Sequence, residues 1–329
     1  MNQLIISKKL LIKDILLTIF RIFFVQFVGL NFLIPLPFLM FGFRKESARS
    51  LQLIIFIAVA FIFYFLINSE SYGLFLISFF FFGFLPSFLL LETIKRYSSF
   101  VRSLAVSLVI LYVIFMGFQF IVMLFLNMSY DELISMSITR VLIDATSNAN
   151  NNSVLVNSIK ENISFLVKIA PSLIFAITAF ILWLNLSIFY SVVCSKFDQR
   201  HSLISLIFLK FSENMEPKEK LFTEENLRNI TYPDYMIWLV ISCMFIFSLQ
   251  WLLDIEFISR LGYNIVIFAA VIYFFQGLSI CTFYIKKWKF SLFFRILSYI
   301  VMFLHYLIVI LIGILDHWFD FRKIRKVKL

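Results

Sequence analysis

The sequence predicts an all-α fold, a polytopic bundle of about eight transmembrane helices. Hydrophobic residues make up 62% of the 329 residues and charged residues only 15%, a balance that differs from that of soluble proteins. The apolar runs are continuous and lack the alternation of barrel strands, so they favour helices as the spanning structure. We therefore expect residues 1–329 to form a single integral membrane domain in contact with a lipid bilayer.

Eight apolar runs are long enough to cross about 30 Å of hydrocarbon as helices. In chain order they are 15–42, 51–67, 73–91, 103–126, 165–194, 235–253, 263–284 and 291–315. The first run contains Pro35 and Pro37, which remove two backbone donors and bend a helix. The sequence therefore predicts a broken or re-entrant half-helix from Asn31 to Phe43.

Basic residues give only a partial orientation. The loops at 44–50, 92–102, 195–232 and 285–290 carry 15 Lys and Arg, against three in the intervening loops, so we expect these four loops to be cytoplasmic. Eight simple crossings would then put both basic termini on the opposite side, and the count becomes 15 against 11. The positions of the two termini therefore stay open.

Two connections are long enough to hold structure of their own. In the loop at 127–162, two sets of apolar residues at helical spacing flank a polar turn, which predicts an extracytoplasmic helical hairpin. In the loop at 195–232, apolar residues at helical spacing lie beside Arg200 and Lys210. This pattern predicts a cytoplasmic amphipathic segment at the membrane surface, and a docking surface for a protein partner is the other interpretation.

Polar side chains inside apolar runs are the candidates for a binding site, because a charge at the bilayer centre costs about 2.5–3.5 kcal/mol on insertion scales. Such side chains are Arg21, Gln26, Asn31, Gln119, Asn185, Gln250, Gln276 and His305. Amides can also bond between helices and hold them together. Transporter sites often lie where helices break near the bilayer centre. The predicted substrate-binding residues are accordingly Asn31, Pro35, Pro37, Gln276 and His305.

The last apolar run carries a polar stripe and ends at an abrupt boundary. Ser298, His305, Asp316 and Asp320 lie along one helical face. This stripe fits either a path for protons or substrate, or a seam between helices. Rings and cations then follow, as at a membrane interface, and the predicted interface anchors are Trp318, Arg322 and Lys323.

Catalytic and metal-binding patterns are missing from the sequence. The three histidines, at positions 201, 305 and 317, lack metal-ligand spacing, and no phosphate loop, nucleophile elbow or dinucleotide fingerprint occurs. The net charge of +10 comes from short clusters beside apolar runs, where cations face phosphate headgroups. We expect no enzymatic activity, no cofactor, no metal and no nucleic-acid partner.

Several passages in order along the chain resemble one family. They are Ile34-Pro35-Leu36-Pro37-Phe38 before Arg44, Pro86 ahead of Lys95-Arg96, Pro233 before Trp238, Phe275-Gln276-Gly277-Leu278 ahead of Lys286-Lys287, and the stretch from Gly313 to Lys323. In these passages the chain resembles the uncharacterised bacterial YybS-like membrane proteins. Those proteins are distantly similar to substrate-binding subunits of energy-coupling factor transporters. The resemblance implies a helical bundle in the bacterial inner membrane and a role in small-molecule binding or uptake.

Two functions stay open at this level. The first is a multi-pass protein that binds or transports a small molecule at the helix break and the sparse polar groups. The second is a scaffold or assembly factor without transport activity, which recruits a cytoplasmic or membrane protein through the 195–232 loop and the basic tail.

Overall fold

The computed structural model describes residues 15–16, 18–22, 31–44, 48–66, 76–77, 79–97, 100–136, 153–197, 236–253 and 255–322. The described parts are helical. The helices are α1 (Pro35–Arg44), α2 (Ala48–Leu66), α3 (Leu85–Arg96), α4 (Phe100–Leu126), α5 (Ser153–Phe197), α6 (Met236–Leu253), α7 (Glu256–Lys287), α8 (Leu292–Leu304) and α9 (Tyr306–Phe319). A 3-10 turn at Asn31–Leu33 precedes α1, and a π-helical turn at Phe80–Phe84 precedes α3.

The chain divides into two compact units. Unit 1 comprises Met1–Leu111 and Thr178–Leu227, and unit 2 comprises Tyr112–Ile177 and Arg228–Leu329. Because α4 and α5 each contribute to both units, each unit combines segments that are distant in sequence.

Unit 1 is organised around the short helix α1, which packs against α2 and α3. Pro35 is the first residue of α1, a position where a missing N–H leaves no helical bond unmade. The chain thus changes from a 3-10 turn to an α-helix in the segment where the sequence predicted a break. Buried apolar side chains of this unit form one cluster: Ile22, Ile34, Phe38, Phe41, Ile55, Val59, Phe79 and Phe84.

Unit 2 is organised around the long helix α7, which packs against α6 and α9. Helices α8 and α9 together cover the last apolar run, but the chain bends by 91° between them at His305. The sequence predicted one continuous span here. Hydropathy does not detect this bend, because the residues on both sides of His305 are equally apolar.

Three helical segments are long and apolar enough to cross a membrane within the part of the chain that the structure describes: Phe100–Leu126, Ile163–Phe189 and Glu256–Ile285. The bent pair of α8 and α9 raises the number to four if it counts as one span. Within the described residues, the apolar segments Gln52–Ile62, Phe80–Ile94 and Met236–Leu249 are shorter, with 10–17 residues each. The prediction of an all-helical membrane protein is confirmed, whereas the count of eight spans is not.

The two long connections are described only in part. Helix α4 ends at Leu126, where Asn127 takes a φ of 53° and Met128 N donates to Met123 O at 3.2 Å. A new helix begins at Tyr130 and is described as far as residue 136. The second half of the predicted hairpin is the start of α5 and continues into the next apolar run. Residues 198–232 of the predicted amphipathic loop, and Lys323, lie outside the described residues.

Candidate functional site

The substrate-binding residues predicted from the sequence fall in different units. Asn31, Pro35 and Pro37 belong to unit 1, whereas Gln276 and His305 belong to unit 2. Pro35 and Pro37 are buried, Gln276 is buried in α7, and His305 is exposed at the bend between α8 and α9. One of these five residues, Gln276, lies in a charged cluster.

Gln276 contacts an ion pair between Asp316 and Arg322. Asp316 Oδ2 accepts from Gln276 Nε2 at 3.1 Å and from Arg322 Nη2 at 2.9 Å. Arg322 Nη1 also donates to Ser279 Oγ at 3.0 Å. These four residues, Gln276, Ser279, Asp316 and Arg322, are called the polar cluster below. The cluster joins the C-terminal half of α7 to the end of α9 and the turn that follows it.

A tight turn after α9 puts Arg322 into the polar cluster. Helix α9 ends at Phe319, and Asp320 takes a left-handed conformation with φ 39°, while its N–H donates to Asp316 O at 3.1 Å. The next N–H, that of Phe321, donates to Asp316 Oδ1 at 3.1 Å, and Tyr284 OH donates to Phe321 O at 2.7 Å. The turn reverses the chain, so that Arg322 lies against α7 instead of continuing away from it.

Two glycines allow α7 and α9 to cross in close contact at this point. A Cβ added at Gly277 would overlap the carbonyl group of Val309, with its carbon at 2.8 Å. A Cβ added at Gly313 would overlap the carbonyl oxygen of Tyr273 and lie 2.9 Å from Gly277 N. Small residues at helix crossings in membranes permit this backbone contact. The crossing brings the Gln276 amide within reach of the Asp316 carboxylate.

The polar cluster is fully buried within an apolar helix pair. The side chains of Arg322 and Asp316 are 0% and 1% exposed, and Gln276 is 0% exposed. Gln276 lies nine residues before Ile285, the end of its candidate span, which is about 13 Å along the helix. Charged groups buried among membrane-spanning helices are rare and mark functional sites by default.

One of the two polar atoms of the Gln276 amide has a hydrogen-bond partner. Its Nε2 donates to the carboxylate, which fixes the orientation of the amide, because a reversed amide would bring two acceptor oxygens together. Its Oε1 is buried and has no hydrogen-bond partner. A buried acceptor left in this state costs about 1–3 kcal/mol, so a donor from outside the protein would be stabilised there.

A second polar contact joins α6, α7 and α9 next to the cluster. Tyr273 OH donates to Met236 O at 2.9 Å and lies 3.2 Å from His317 Nε2. Since the hydroxyl has one proton and Met236 O can only accept, His317 Nε2 is the donor to Tyr273. The imidazole therefore carries a proton on Nε2, which the sequence pattern around Asp316-His317 did not indicate.

The other residues of the predicted stripe and interface have separate surroundings. Ser298 donates to Phe294 O of its own helix at 2.7 Å. Asp320 forms the turn after α9, and Trp318 is 64% exposed, as an interface residue would be. Arg322 was expected at the headgroups, but its guanidinium is buried against Asp316. The 91° bend at His305 also separates Ser298 from the part of the stripe that contains Asp316.

Sequence reasoning missed Asn264, whose amide binds the main chain of α5 near a proline. Pro171 lies inside α5 and has no N–H. Asn264 Nδ2 donates to Lys168 O at 2.8 Å, and Asn264 Oδ1 accepts from Ser172 N at 3.0 Å. These are the two groups that an unbroken helix pairs with each other. The proline inside an apolar run was the signal that a polar partner was needed.

An exposed ionic contact links α7 to the helix that begins at Tyr130. Arg260 Nη1 and Nη2 donate to the two carboxylate oxygens of Asp131 at 2.8 and 2.9 Å. Ser129 and Glu132 form a capping box at the start of that helix, because Ser129 N donates to Glu132 Oε2 at 2.7 Å. This bond lowers the pKa of Glu132, and burial raises the pKa of Tyr130 to about 12. The Arg260–Asp131 ion pair thus attaches the segment after α4 to α7 at a solvent-accessible position.

No group of three or more His, Cys, Asp or Glu side chains that could hold a metal ion is present in the described ranges. The polar cluster itself offers one carboxylate, which already accepts from Gln276, Phe321 and Arg322. Its chemistry is therefore that of hydrogen bonding and charge pairing.

Comparison with known protein families matches residues 218–317 to the family described as "Predicted membrane protein (DUF2232)". Neither the curated proteins nor the solved structures gave a match. The matched segment includes Gln276, His305 and Asp316 but ends before Arg322. The apolar helices and this match together support membrane localisation. Over these 100 residues the chain is similar to a family of predicted membrane proteins.

Proposed function

We propose that the protein binds, and in a membrane context moves, a small polar molecule at the polar cluster. The observation that carries the proposal is the buried Asp316–Arg322 ion pair, held against Gln276 about 13 Å from the end of an apolar span. Burying two charges is expensive, and replacement by apolar residues of similar size is often neutral or stabilising. Retention of this buried pair between apolar helices therefore favours a role other than stability.

The chemistry of the cluster limits what it would bind. Asp316 and Arg322 neutralise each other, so an ion of either sign would have to displace one of them. Gln276 Oε1 is the acceptor without a partner, so a neutral ligand with an N–H or O–H donor fits without breaking the ion pair. The proposal is thus a polar, uncharged or zwitterionic molecule that donates to Gln276. The resemblance to transporter substrate-binding subunits implies small-molecule binding but no particular class of ligand.

The bacterial inner membrane is the proposed location, and the proposal includes no catalytic step. The alternative function, a scaffold without transport activity, depends on the 195–232 loop and the basic tail. Those segments lie almost entirely outside the described residues, so no contact in the described part of the chain supports the scaffold over the ligand-binding protein.

A ligand-dependent stability screen tests the proposal. The purified protein in detergent is heated with a broad panel of polar metabolites, and the midpoint of unfolding is measured for the wild type, Gln276→Leu and Ser298→Ala. Ser298→Ala is the matched control, because Ser298 bonds only to Phe294 of its own helix in the described contacts. We expect at least one compound to stabilise the wild type and the control but not Gln276→Leu. No stabilising compound, or equal stabilisation of Gln276→Leu, would reject the polar cluster as the site.

A further inference from the structure

The turn between α7 and α8 combines cations and aromatic rings at the end of a candidate span. Residues 284–315 contain no Asp or Glu but four cations: Lys286, Lys287, Lys289 and Arg295. The candidate span of α7 ends at Ile285, so these cations begin directly beyond its apolar part. Clusters of this kind beside a membrane helix attract the headgroups of anionic lipids.

Main-chain contacts hold the cations of this turn close together. Phe290 N donates to Ile285 O at 3.3 Å, and Lys289 takes a left-handed conformation with φ 53°. Arg295 Nε donates to Phe290 O at 2.8 Å, so the guanidinium lies beside the residue that follows Lys289. The side chains of Lys287, Lys289 and Arg295 are exposed, and no carboxylate in the described part of the chain pairs with them.

Aromatic rings form a continuous row next to the cations. The ring centroids of Tyr284 and Trp288 are 5.4 Å apart, those of Trp288 and Phe290 5.7 Å, and those of Phe290 and Phe294 6.3 Å. Trp288 is 62% exposed, and Lys287 Nζ lies 5.7 Å from the centroid of the Tyr284 ring. Trp and Tyr are enriched at the level of the headgroups in membranes. The row therefore favours a position of this turn at the membrane–water interface.

Helix α8 runs back along α7 from this turn and leaves one apolar face uncovered. Tyr299 OH lies 3.4 Å from Thr282 Oγ1. Further along, the rings of Phe303 and Phe274 are 5.6 Å apart, so later residues of α8 contact earlier residues of α7. The uncovered face carries apolar side chains at steps of three and four, each 43–71% exposed: Phe294, Leu297, Val301 and Leu304. This row is about 15 Å long, which is half of a hydrocarbon layer of about 30 Å and matches one acyl chain in one leaflet.

We propose that the turn and the uncovered face of α8 together bind one anionic phospholipid. Its phosphate binds at Lys287, Lys289 and Arg295, and an acyl chain lies along the apolar row of α8. The lipid is anionic because a zwitterionic headgroup would add a cation beside three that have no counter-charge. The site belongs to unit 2, but it is exposed and separate from the buried polar cluster, so it does not depend on the proposed function.

Native mass spectrometry compares the two classes of lipid directly. The purified full chain, freed of native lipid in detergent, is mixed with equal amounts of phosphatidylglycerol and phosphatidylcholine that carry the same acyl chains. We expect bound phosphatidylglycerol to exceed bound phosphatidylcholine at least fivefold. Equal retention of the two lipids overturns the proposal. A dimer that binds no phosphatidylglycerol also overturns it, because a second copy would then cover α8.

Charge-removing variants locate the site. The midpoint of thermal unfolding is measured with increasing phosphatidylglycerol at fixed salt. Lys287→Gln/Lys289→Gln should raise the half-saturating concentration at least tenfold, because two of the three cations are lost. The matched control is Lys168→Gln/Arg260→Gln, which removes two cations of the same unit that already pair with carboxylates. It should keep the half-saturation of the wild type.

Glycerol phosphate, which has a phosphate but no acyl chains, distinguishes a lipid site from a site for free phosphate. It should give no shift at concentrations at which phosphatidylglycerol saturates, and a shift as large as that of the lipid overturns the lipid as the occupant. Wild-type half-saturation in Lys287→Gln/Lys289→Gln, or an equal loss in the control, overturns the location of the site. If Lys287→Gln/Lys289→Gln does not fold, the comparison of the two lipids on the wild type decides.

Discussion

Gly277→Ala tests whether the close crossing of α7 and α9 assembles the polar cluster. Gly→Ala inside an ordinary helix is stabilising by about 0.5–1 kcal/mol. At Gly277 the new methyl group would lie 2.8 Å from the carbonyl carbon of Val309 and closer to its oxygen. Carbon atoms in contact prefer about 3.5–4.0 Å, so the helices must separate by about 1 Å.

That separation would lengthen the bond between Gln276 Nε2 and Asp316 Oδ2, now 3.1 Å, beyond hydrogen-bond distance. A buried polar group left unpaired costs about 1–3 kcal/mol, and packing at the crossing is lost as well. We expect a net loss of about 1–3 kcal/mol, since the loss exceeds the gain in helix propensity.

Reversible unfolding by denaturing detergent measures this loss, with Gly117→Ala as the matched control. A Cβ at Gly117 in α4 would meet nothing within 4 Å, so this substitution should be neutral or stabilising. The reasoning is refuted if Gly277→Ala is as stable as Gly117→Ala.

Three further predictions concern other contacts. Asp316→Leu alone or Arg322→Met alone should lower the free energy of unfolding by about 3–5 kcal/mol, because each leaves a buried charge unpaired. The double variant should lose less stability than either single variant. Additive losses in a double-mutant cycle would contradict the pairing of these two residues. Two bonds from Ser129, the first from its main-chain N–H and the second from its hydroxyl, lower the pKa of Glu132 below 4.5, so the capping box is intact above that pH and is lost as the pH falls through the folded pKa. Ser129→Ala removes only the hydroxyl bond, so a carbon-13 NMR titration should show a partial rise of this pKa. No rise would reject the contribution of the hydroxyl. Asn264→Ala should lower the free energy of unfolding by about 1–3 kcal/mol, measured by heat or denaturant, because two main-chain groups of α5 lose their partner. Wild-type stability of this variant would show that Asn264 does not stabilise α5.

The sequence predicted the helical class and part of the polar cluster. Long apolar runs without alternation leave helices as the spanning structure, and most of the residues that the structure describes in these runs are helical. Gln276 was identified as a polar residue in an apolar run, and Asp316 as part of the polar stripe that begins in the last run. Their contact could not be predicted, because it depends on the crossing at Gly277 and Gly313, which brings together residues 40 positions apart.

The placement of Arg322 shows what a linear pattern misses. A cation after an apolar run fits phosphate headgroups, and Trp318 is exposed as that interpretation requires. The left-handed turn at Asp320 instead reverses the chain and pairs Arg322 with Asp316. Similarly, the bend at His305 occurs without a proline or glycine at the junction, so no sequence signal separates one span from two helices.

The measurement that tests the central claim most directly is an experimental density map of the protein extracted from its native membrane into lipid nanodiscs. The account predicts density from a small molecule within hydrogen-bond distance of Gln276 Oε1, with the Asp316–Arg322 pair intact. A map in which a protein group or a lipid chain fills that position, with no small molecule beside the polar cluster, would contradict it.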